Sequence, residues 1–570
     1  MNTSQKEAQV CHAMSSVSSQ SQSEMSNDNI LWSPPKKSKS STIRNVVFGR
    51  KGFTGNHAAD RADKATPRGG DVRLRDQPTN GTIVEEKDIT NFNDKGNEFF
   101  GKGEYDAALR MYSEALKLLK TKHSTIVMDT AEGETSMPTD MRRLRTARCL
   151  VNVGVVHIRR ENYEDAIHAL QLSSNLSKLV HPDGGQYHRA LEVMADAHEN
   201  IGLVHFKQKN YEDSSIMYNE ALNARRKCLE LMETKHGKRR HKLKDDERKD
   251  KDEWIASTLE LAKTLYYMAI LRERQGYVEE AVDLCEEALR LRQEVVPNVK
   301  QDQSSLNLFT TIGRLYCHET VRRYSDALDY FNEVHRVKCE VAGKDHLNVV
   351  PSLNSLAFIY KELGEYNKCV VISDRAIGIA TNGRGLNKEA CLAYTNKGDA
   401  LKILKDYDGA ISSYETALRL QAKCLERKDM LNAEVHEKLA DAYLLSTDFE
   451  SAIDSLERAI SIKRLSLSPD DLELARSYSK LGDYYEKNRE HSIGIKCHTK
   501  ALRVFKHHDE KKMAATEHNK IASIMKESGE NDKAMEHYMA ALWHSREASL
   551  PSTDPIVADT IKNLASFQKS

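Results

Sequence analysis

Several features that would assign this sequence to a particular class of protein are missing from it. No apolar run approaches the ~20 residues that cross a bilayer, and the first residues lack the basic start and apolar core of a secretory signal. Neither sign of charge dominates, because 85 basic side chains stand against 85 acidic ones, whereas nucleic-acid binders usually carry a basic excess. We therefore predict a cytoplasmic protein, with the nucleus as the alternative location, and expect neither a membrane nor a nucleic-acid partner.

The residue patterns of enzymes and metal sites are missing as well. The ten cysteines include no Cys-x-x-Cys pair and match no zinc spacing. His436-Glu437 lacks the second histidine of a helical zinc-protease motif. The segment 96–103 approaches a phosphate-binding loop, but Gly103 stands where that loop needs Ser or Thr to hold magnesium. We therefore predict no catalytic residue, no metal and no cofactor, and hence no enzyme.

The sequence does contain one pattern, centred on a small residue, that occurs ten times. From Ala327 onward the successive separations are 42, 41, 42, 42 and 40 residues. A period in this range, carried by helix-forming residues, indicates a stacked helical repeat. The ten central positions are Ala108, Ala166, Ser214, Ala281, Ala327, Cys369, Ala410, Ala452, Gly494 and Ala534.

The first copy, residues 93–116, shows how such a unit is built. Two helices approach closely only where their side chains are short, and Gly103 allows a tight turn between them. The order of small and aromatic residues resembles the tetratricopeptide repeat (TPR), a helix–turn–helix unit. The residues of this copy that carry the resemblance are Gly96, Phe99, Tyr105, Ala108, Tyr112 and Ala115.

The resemblance predicts an all-α fold, a right-handed TPR solenoid of about ten helix–turn–helix repeats. The segment 554–568 is predicted to be a C-terminal capping helix, because a solenoid otherwise exposes the apolar face of its last repeat. We predict a disordered Ser-rich tail over 1–87, repeats one to four with insertions over 88–300, and regular repeats five to ten plus the cap over 301–570.

The later repeats are longer than the common 34-residue unit. The segment 343–366, Gly-Lys-Asp-His-Leu-Asn-Val-Val-Pro-Ser-Leu-Asn-Ser-Leu-Ala-Phe-Ile-Tyr-Lys-Glu-Leu-Gly-Glu-Tyr, looks like the repeat of the kinesin light chain family. Members of that family carry a long heptad coiled coil ahead of their repeats, through which they join the motor. A Ser-rich tail takes that place here, so we do not expect a motor heavy chain among the partners.

The resemblance also implies where a ligand binds, since the first helix of each TPR pair lines the concave groove. An asparagine on such a helix can both donate to and accept from an extended peptide backbone. Lys438 and Lys480 stand three residues before two of the aspartates, which predicts local ion pairs; groove residues that only pair with one another or with water are the open alternative. The predicted peptide-groove residues are Asn97, Asn152, Asn200, Asn396, Asp399, Asp441 and Asp483.

The predicted function is that of a non-enzymatic scaffold or adaptor whose groove binds a peptide or disordered segment of another protein. One alternative is a helical-repeat RNA-binding protein. Another is a regulatory subunit controlled by phosphorylation of its N-terminal tail at Ser33, which precedes Pro34. One interpretation of the charged insertion 235–253 is a nuclear localisation signal. The preferred interpretation is a solvated helix extension or loop whose acidic and basic side chains neutralise one another.

Overall fold

The computed structural model describes residues 86–121, 139–236, 248–298, 302–382, 387–424 and 430–567. Ser33, nearly all of the predicted tail and most of the charged insertion lie outside these ranges. The described residues fall into two compact units, which succeed one another along the chain at Val295 and Val296. We call them the N-terminal and the C-terminal unit. The predicted division of the chain into a tail and two sets of repeats stays a prediction.

The described part of the N-terminal unit is built from eight α-helices, which pack in succession as antiparallel pairs. The two ends of the charged insertion are helical, because α6 runs to His236 and α7 starts at Arg248. The helices are α1 (Glu86–Gly101), α2 (Tyr105–Thr121), α3 (Thr139–Arg159), α4 (Tyr163–Lys178), α5 (Tyr187–Lys207), α6 (Tyr211–His236), α7 (Arg248–Arg274) and α8 (Val278–Val295).

The C-terminal unit continues the same pairing without a long break in sequence, and a 3-10 turn at Leu347–Val349 precedes its second pair. Its helices are α9 (Gln303–Tyr316), α10 (Tyr324–Ala342), α11 (Val350–Glu362), α12 (Tyr366–Asn382), α13 (Asn387–Ile403), α14 (Tyr407–Cys424), α15 (Met430–Leu445), α16 (Phe449–Ser466), α17 (Leu472–Lys487), α18 (His491–His507), α19 (Lys511–Glu527), α20 (Asn531–Glu547) and α21 (Pro555–Phe567).

The small residues of the sequence pattern occupy one equivalent place in the structure. Each is the fourth residue of the second helix of a pair, as Ala108 is in α2 and Ala410 in α14. Both are fully buried, and so is Cys369 in α12, which confirms that this cysteine packs in the core. A short side chain is needed there because the two helices of a pair cross at that level.

A second close approach joins a glycine of the first helix to a large side chain of the second. A Cβ atom added at Gly96 would lie 2.5 Å from the Tyr112 ring, and one at Gly398 would lie 2.7 Å from the Tyr414 ring. Both tyrosines are almost completely buried. The glycine therefore makes room for the ring that fills the core of the pair.

The turns within the pairs share a residue with positive φ, two positions before the second helix. Gly103 adopts φ 78°, as predicted for the first turn, whereas Thr447 adopts φ 67° despite its branched Cβ atom. Glycine accepts this conformation without a steric cost, but a β-branched residue does not. The turn is thus imposed by the packing of the two helices rather than by its local sequence.

The predicted all-α repeat fold is confirmed for the described residues. The segment predicted as a cap forms α21, which packs against α19 and α20, and its Leu564 and Phe567 lie against the core around Tyr538. No helix in the described ranges is long and apolar enough to cross a membrane.

Candidate functional site

The first helices of successive pairs lie side by side within each unit. Contacts join α1 to α3, α3 to α5 and α5 to α7 in the N-terminal unit, and α11 to α13 and α13 to α15 in the C-terminal unit. We call each row of first helices the first-helix wall of its unit. All the predicted groove residues lie on these helices: Asn97, Asn152, Asn200, Asn396, Asp399, Asp441 and Asp483. Their role in binding stays a prediction.

Two of the asparagines bind each other across neighbouring first helices. Asn152 on α3 donates from Nδ2 to Oδ1 of Asn97 on α1 over 3.3 Å, and the Tyr112 hydroxyl donates to the same oxygen over 2.7 Å. Asn152 is buried, and its own Oδ1 receives no hydrogen bond. This part of the wall therefore holds an amide in a fixed orientation with one acceptor unused.

The other two asparagines donate to backbone carbonyls. Asn200 donates to the carbonyl of Asp196, one turn earlier in its own helix, over 2.7 Å. Asn396 donates over 3.3 Å to the carbonyl of Asn354 on the preceding first helix. Asn354 is buried and, like Asn152, has an Oδ1 without a hydrogen-bond donor. The four amides are thus held by the wall itself, which fixes the direction of their remaining polar atoms.

The aspartates of the C-terminal unit pair with lysines of the next repeat, not with the lysines three residues before them. Lys438 lies 3.0 Å from Asp399, and Lys480 lies 2.7 Å from Asp441. The predicted local pairs were therefore wrong. Neighbouring first helices lie close enough for a lysine to reach the preceding wall helix, where the aspartate is more buried and the attraction less screened by water.

Burial would raise the pKa of Asp399, but the ammonium groups of Lys438 and Lys361 hold it well below its ordinary value. The carboxylate also accepts a hydrogen bond from the Tyr414 hydroxyl over 2.7 Å. Asp441 behaves similarly, since its pKa is lowered against the effect of burial, above all by Lys480. These carboxylates are therefore ionised and already paired at neutral pH, so a charged ligand gains little from them alone.

A buried charge cluster in the N-terminal unit was missed by the sequence analysis. Arg225 on α6 is 3% exposed and reaches Asp196 over 2.7 Å, Glu199 over 3.2 Å and Glu260 over 3.4 Å. Lys263 adds a second cation, 3.1 Å from Glu199. Burial raises the pKa of Asp196 to about 6, against the opposing attraction of Arg225. Nothing in the spacing of these residues showed that three helices would bring them together.

A second cluster that the sequence analysis missed joins the predicted groove residue Asp483 to Glu486 on α17 and His498 on α18. One potential metal-ligand atom from each side chain lies within 4.8 Å of the others. The available sequence signal was weak: an Asp-x-x-Glu pair on one helix and a histidine at a position where other repeats have tyrosine. It matched no known metal motif.

A cavity of about 550 Å³ lies between α16, α17 and α18, lined in part by Tyr478, Tyr485 and Cys497. Burial raises the pKa of the Cys497 thiol. The thiol is therefore protonated at neutral pH, and a protonated thiol is a poor nucleophile. Cys497 is therefore not an activated nucleophile of the kind that covalent catalysis requires.

Comparison with known proteins agrees with this architecture. Family models described as tetratricopeptide repeat match residues 195–228, 261–298 and 389–465. Each matched segment covers helices of the pairs described above. The chain therefore contains tetratricopeptide repeats. Proteins of this class are generally interaction scaffolds without catalytic activity, and they bind other proteins.

Some of the repeats are similar to those of a kinesin light chain-related protein, as the sequence predicts. The chain is 33% identical over 104 residues to the Arabidopsis thaliana protein KINESIN LIGHT CHAIN-RELATED 1, a match that covers 18% of this chain and 17% of that relative. The chain therefore matches only a small part of the relative's length. What the whole relative does is not carried over to this chain.

Solved structures with similar folds include two proteins of low sequence identity to this chain. A kinesin light chain repeat structure from Podosopora anserina is 17% identical, covers 35% of this chain and 95% of its own, and gives a TM-score of 0.32. BtubC (BKLC) from P. vanneervenii is 16% identical. The match covers 46% of this chain and 91% of that chain, with a TM-score of 0.34.

Proposed function

We propose that the first-helix walls bind an extended peptide or disordered segment of a partner protein, and that the chain acts as a non-enzymatic adaptor. The observation that carries this proposal is the buried amide pair Asn97–Asn152, in which Oδ1 of Asn152 has no donor. A buried acceptor without a partner costs free energy. A backbone N–H of a bound segment is the kind of donor that this oxygen lacks.

The ion pairs of the C-terminal wall favour a ligand that is bound by hydrogen bonds and shape rather than by its charge. The aspartates are neutralised by lysines of the next repeat, as Asp399 is by Lys438, so the wall carries neither a free basic stripe nor a free acidic one at these positions. Recognition then rests on hydrogen bonds to a peptide backbone and on side-chain shape. The same pairing does not favour the RNA-binding alternative, because the lysines that would face phosphates are already bound to carboxylates.

The proposal is tested by proximity labelling in cells followed by pull-down with a wall variant, Asn152→Ala, Asn200→Ala and Asn396→Ala together. A matched triple variant on exposed positions of second helices, Lys117→Ala, Asp454→Ala and Arg503→Ala, controls for general surface effects.

We expect a set of partners to be lost from the wall variant and kept by the control, with unchanged helical circular dichroism in both. Full retention of every partner by a folded wall variant would contradict binding at the wall. Loss of the same partners from both variants would place the binding surface elsewhere.

A further inference from the structure

In the ninth pair a histidine replaces the tyrosine whose hydroxyl, in other pairs, donates a hydrogen bond to a polar residue of the wall. In the first pair the Tyr112 hydroxyl donates to Asn97, and in the seventh the Tyr414 hydroxyl donates to Asp399, each over 2.7 Å. His498 occupies the equivalent place, since a Cβ atom added at Gly482 would lie 2.5 Å from its Nε2 atom.

The shorter imidazole ring leaves a gap that the tyrosine hydroxyl would have closed. Nε2 of His498 lies 3.7 Å from Oδ1 of Asp483, which is beyond hydrogen-bond distance. His498 is completely buried, and Nε2 has no hydrogen-bond partner. A buried ring nitrogen therefore points at two carboxylates, those of Asp483 and Glu486, without being bonded to either.

The opposite side of the ring is held by a carboxylate that fixes its orientation. Nδ1 of His498 lies 2.8 Å from Oε2 of Glu517, which is itself completely buried. The other oxygen of Glu517 accepts a hydrogen bond from Ser479 over 2.6 Å. When Nδ1 carries the hydrogen and donates it to Glu517, Nε2 presents its lone pair to Asp483 and Glu486. A carboxylate behind the distal nitrogen is the arrangement that orients metal-binding histidines.

We propose that Asp483, Glu486 and His498 form a binding site for a divalent transition-metal ion of the zinc class. Imidazole nitrogen together with carboxylate oxygen suits such ions, whereas magnesium and calcium prefer oxygen alone. Ligand atoms around a tetrahedral zinc ion stand about 3.4 Å apart. Atoms within 4.8 Å of one another reach that geometry by small side-chain rotations. Three ligands leave at least one coordination position for water.

The local charge also fits a dication. The carboxylates of Asp483, Glu486 and Glu517 lie around His498, and the ammonium group of Lys520 is paired with Asp483 and Glu517. Lys520 lies 2.7 Å from Asp483 and is the natural competitor of the ion. It also lies 3.1 Å from the hydroxyl of Ser479, so it keeps a partner when Asp483 turns to the metal.

The experiment is a calorimetric titration of the metal-free full chain with zinc chloride, with cobalt chloride as a spectroscopic probe. His498→Tyr is the decisive variant, because it restores the residue that packs on Gly398 in the seventh pair and so preserves the fold. Glu486→Gln removes a second ligand without changing its size. His507→Gln, at an exposed position of the same helix, is the matched control.

We expect both ligand variants to bind one equivalent of zinc fewer than the unmodified chain, whereas His507→Gln binds the same amount. Lys520→Gln should lower the Kd for zinc at this site, because a competing cation is gone. The cobalt complex should show visible absorption that His498→Tyr loses. Equal zinc binding by the unmodified chain and by His498→Tyr would overturn the proposal. Magnesium competing at equal concentration would overturn the choice of metal.

Discussion

The ammonium group of Lys438 lies 3.0 Å from the carboxylate of Asp399, which stands 39 residues earlier on the preceding first helix. Equivalent pairs join Lys480 to Asp441 and Lys520 to Asp483. Each pair ties one repeat to the next through partly or fully buried charges. Within this unit, then, the polar residues of the wall also stabilise the stacking of the repeats.

Replacing Lys438 by methionine should lower the free energy of unfolding by about 3 kcal/mol, because Asp399 stays buried and loses the cation that acts on it most strongly, with Lys361 and Lys402 remaining. Urea denaturation followed by circular dichroism measures the loss. Lys533→Met removes an exposed ion pair with Glu530 and should leave the free energy of unfolding nearly unchanged, because water screens the pair. Similar losses in both variants would show that the Asp399–Lys438 pair stabilises the fold no more than an exposed ion pair does.

The adjacent arginines Arg225 and Arg226 offer a matched pair in the N-terminal unit. Arg225→Met removes the buried cation that binds all three carboxylates, and we expect a loss of about 3 kcal/mol in the free energy of unfolding. Arg226 is about half exposed and binds Glu287 at the surface, so Arg226→Met should be nearly neutral. Thermal unfolding of the two variants distinguishes them. An equal effect would contradict the role given to the buried cluster.

Two helical glycines should respond to alanine with opposite signs. Gly398→Ala places a Cβ atom 2.7 Å from the Tyr414 ring, and such overpacking costs about 1–3 kcal/mol. Gly378 has no atom within 4 Å of an added Cβ, so Gly378→Ala should stabilise the protein by about 0.5–1 kcal/mol, since alanine favours a helix. Urea midpoints measure both. Stabilisation by Gly398→Ala would show that the Tyr414 ring moves away from the added methyl group without a cost in free energy.

Acid should weaken the contact between α19 and α20 through a group of histidines. Nδ1 of His518 lies 2.9 Å from Nδ1 of His537, and its ring stacks on His544. Burial lowers the pKa of His518 to about 3, with Lys506 of α18 and the two histidines adding to the effect. Because this pKa lies below 6.5, the unfolded chain binds more protons between these values. The stabilisation is therefore complete above pH 6.5 and is lost as the pH falls toward 3.

The effect is measured as the difference in unfolding free energy between the unmodified chain and His518→Gln. Glutamine cannot become charged, so the difference should shift in favour of the variant between pH 7.5 and pH 5. His507→Gln, at an exposed position, should show no such shift. A difference that is independent of pH would mean that His518 does not control the acid sensitivity.

The repeat fold could be predicted from the sequence because the residues that pack together within a repeat are also close together in the sequence. Ala108 and Tyr112 lie in one helix, and Gly96 packs on them from the helix just before. Such contacts recur every 40 to 42 residues in the C-terminal unit, so composition at fixed spacing was enough. The resemblance to the tetratricopeptide repeat then implied that the predicted groove residues lie on first helices, where the structure places them.

The ion-pair and hydrogen-bond partners of the polar side chains could not be predicted in this way. The sequence placed Lys438 three residues from Asp441, yet the structure pairs it with Asp399, because a neighbouring first helix brings a more buried carboxylate within reach. The Arg225 cluster and the approach of His498 to Asp483 have the same origin.

By itself, the sequence determined the helix pairs and their small and aromatic core, since these depend on local periodicity. Only the tertiary structure decided which charges meet and which polar atoms remain unbonded, such as Oδ1 of Asn152 and Nε2 of His498. Those relations depend on distances of a few ångströms between helices, and electrostatic and hydrogen-bond energies change steeply over that range.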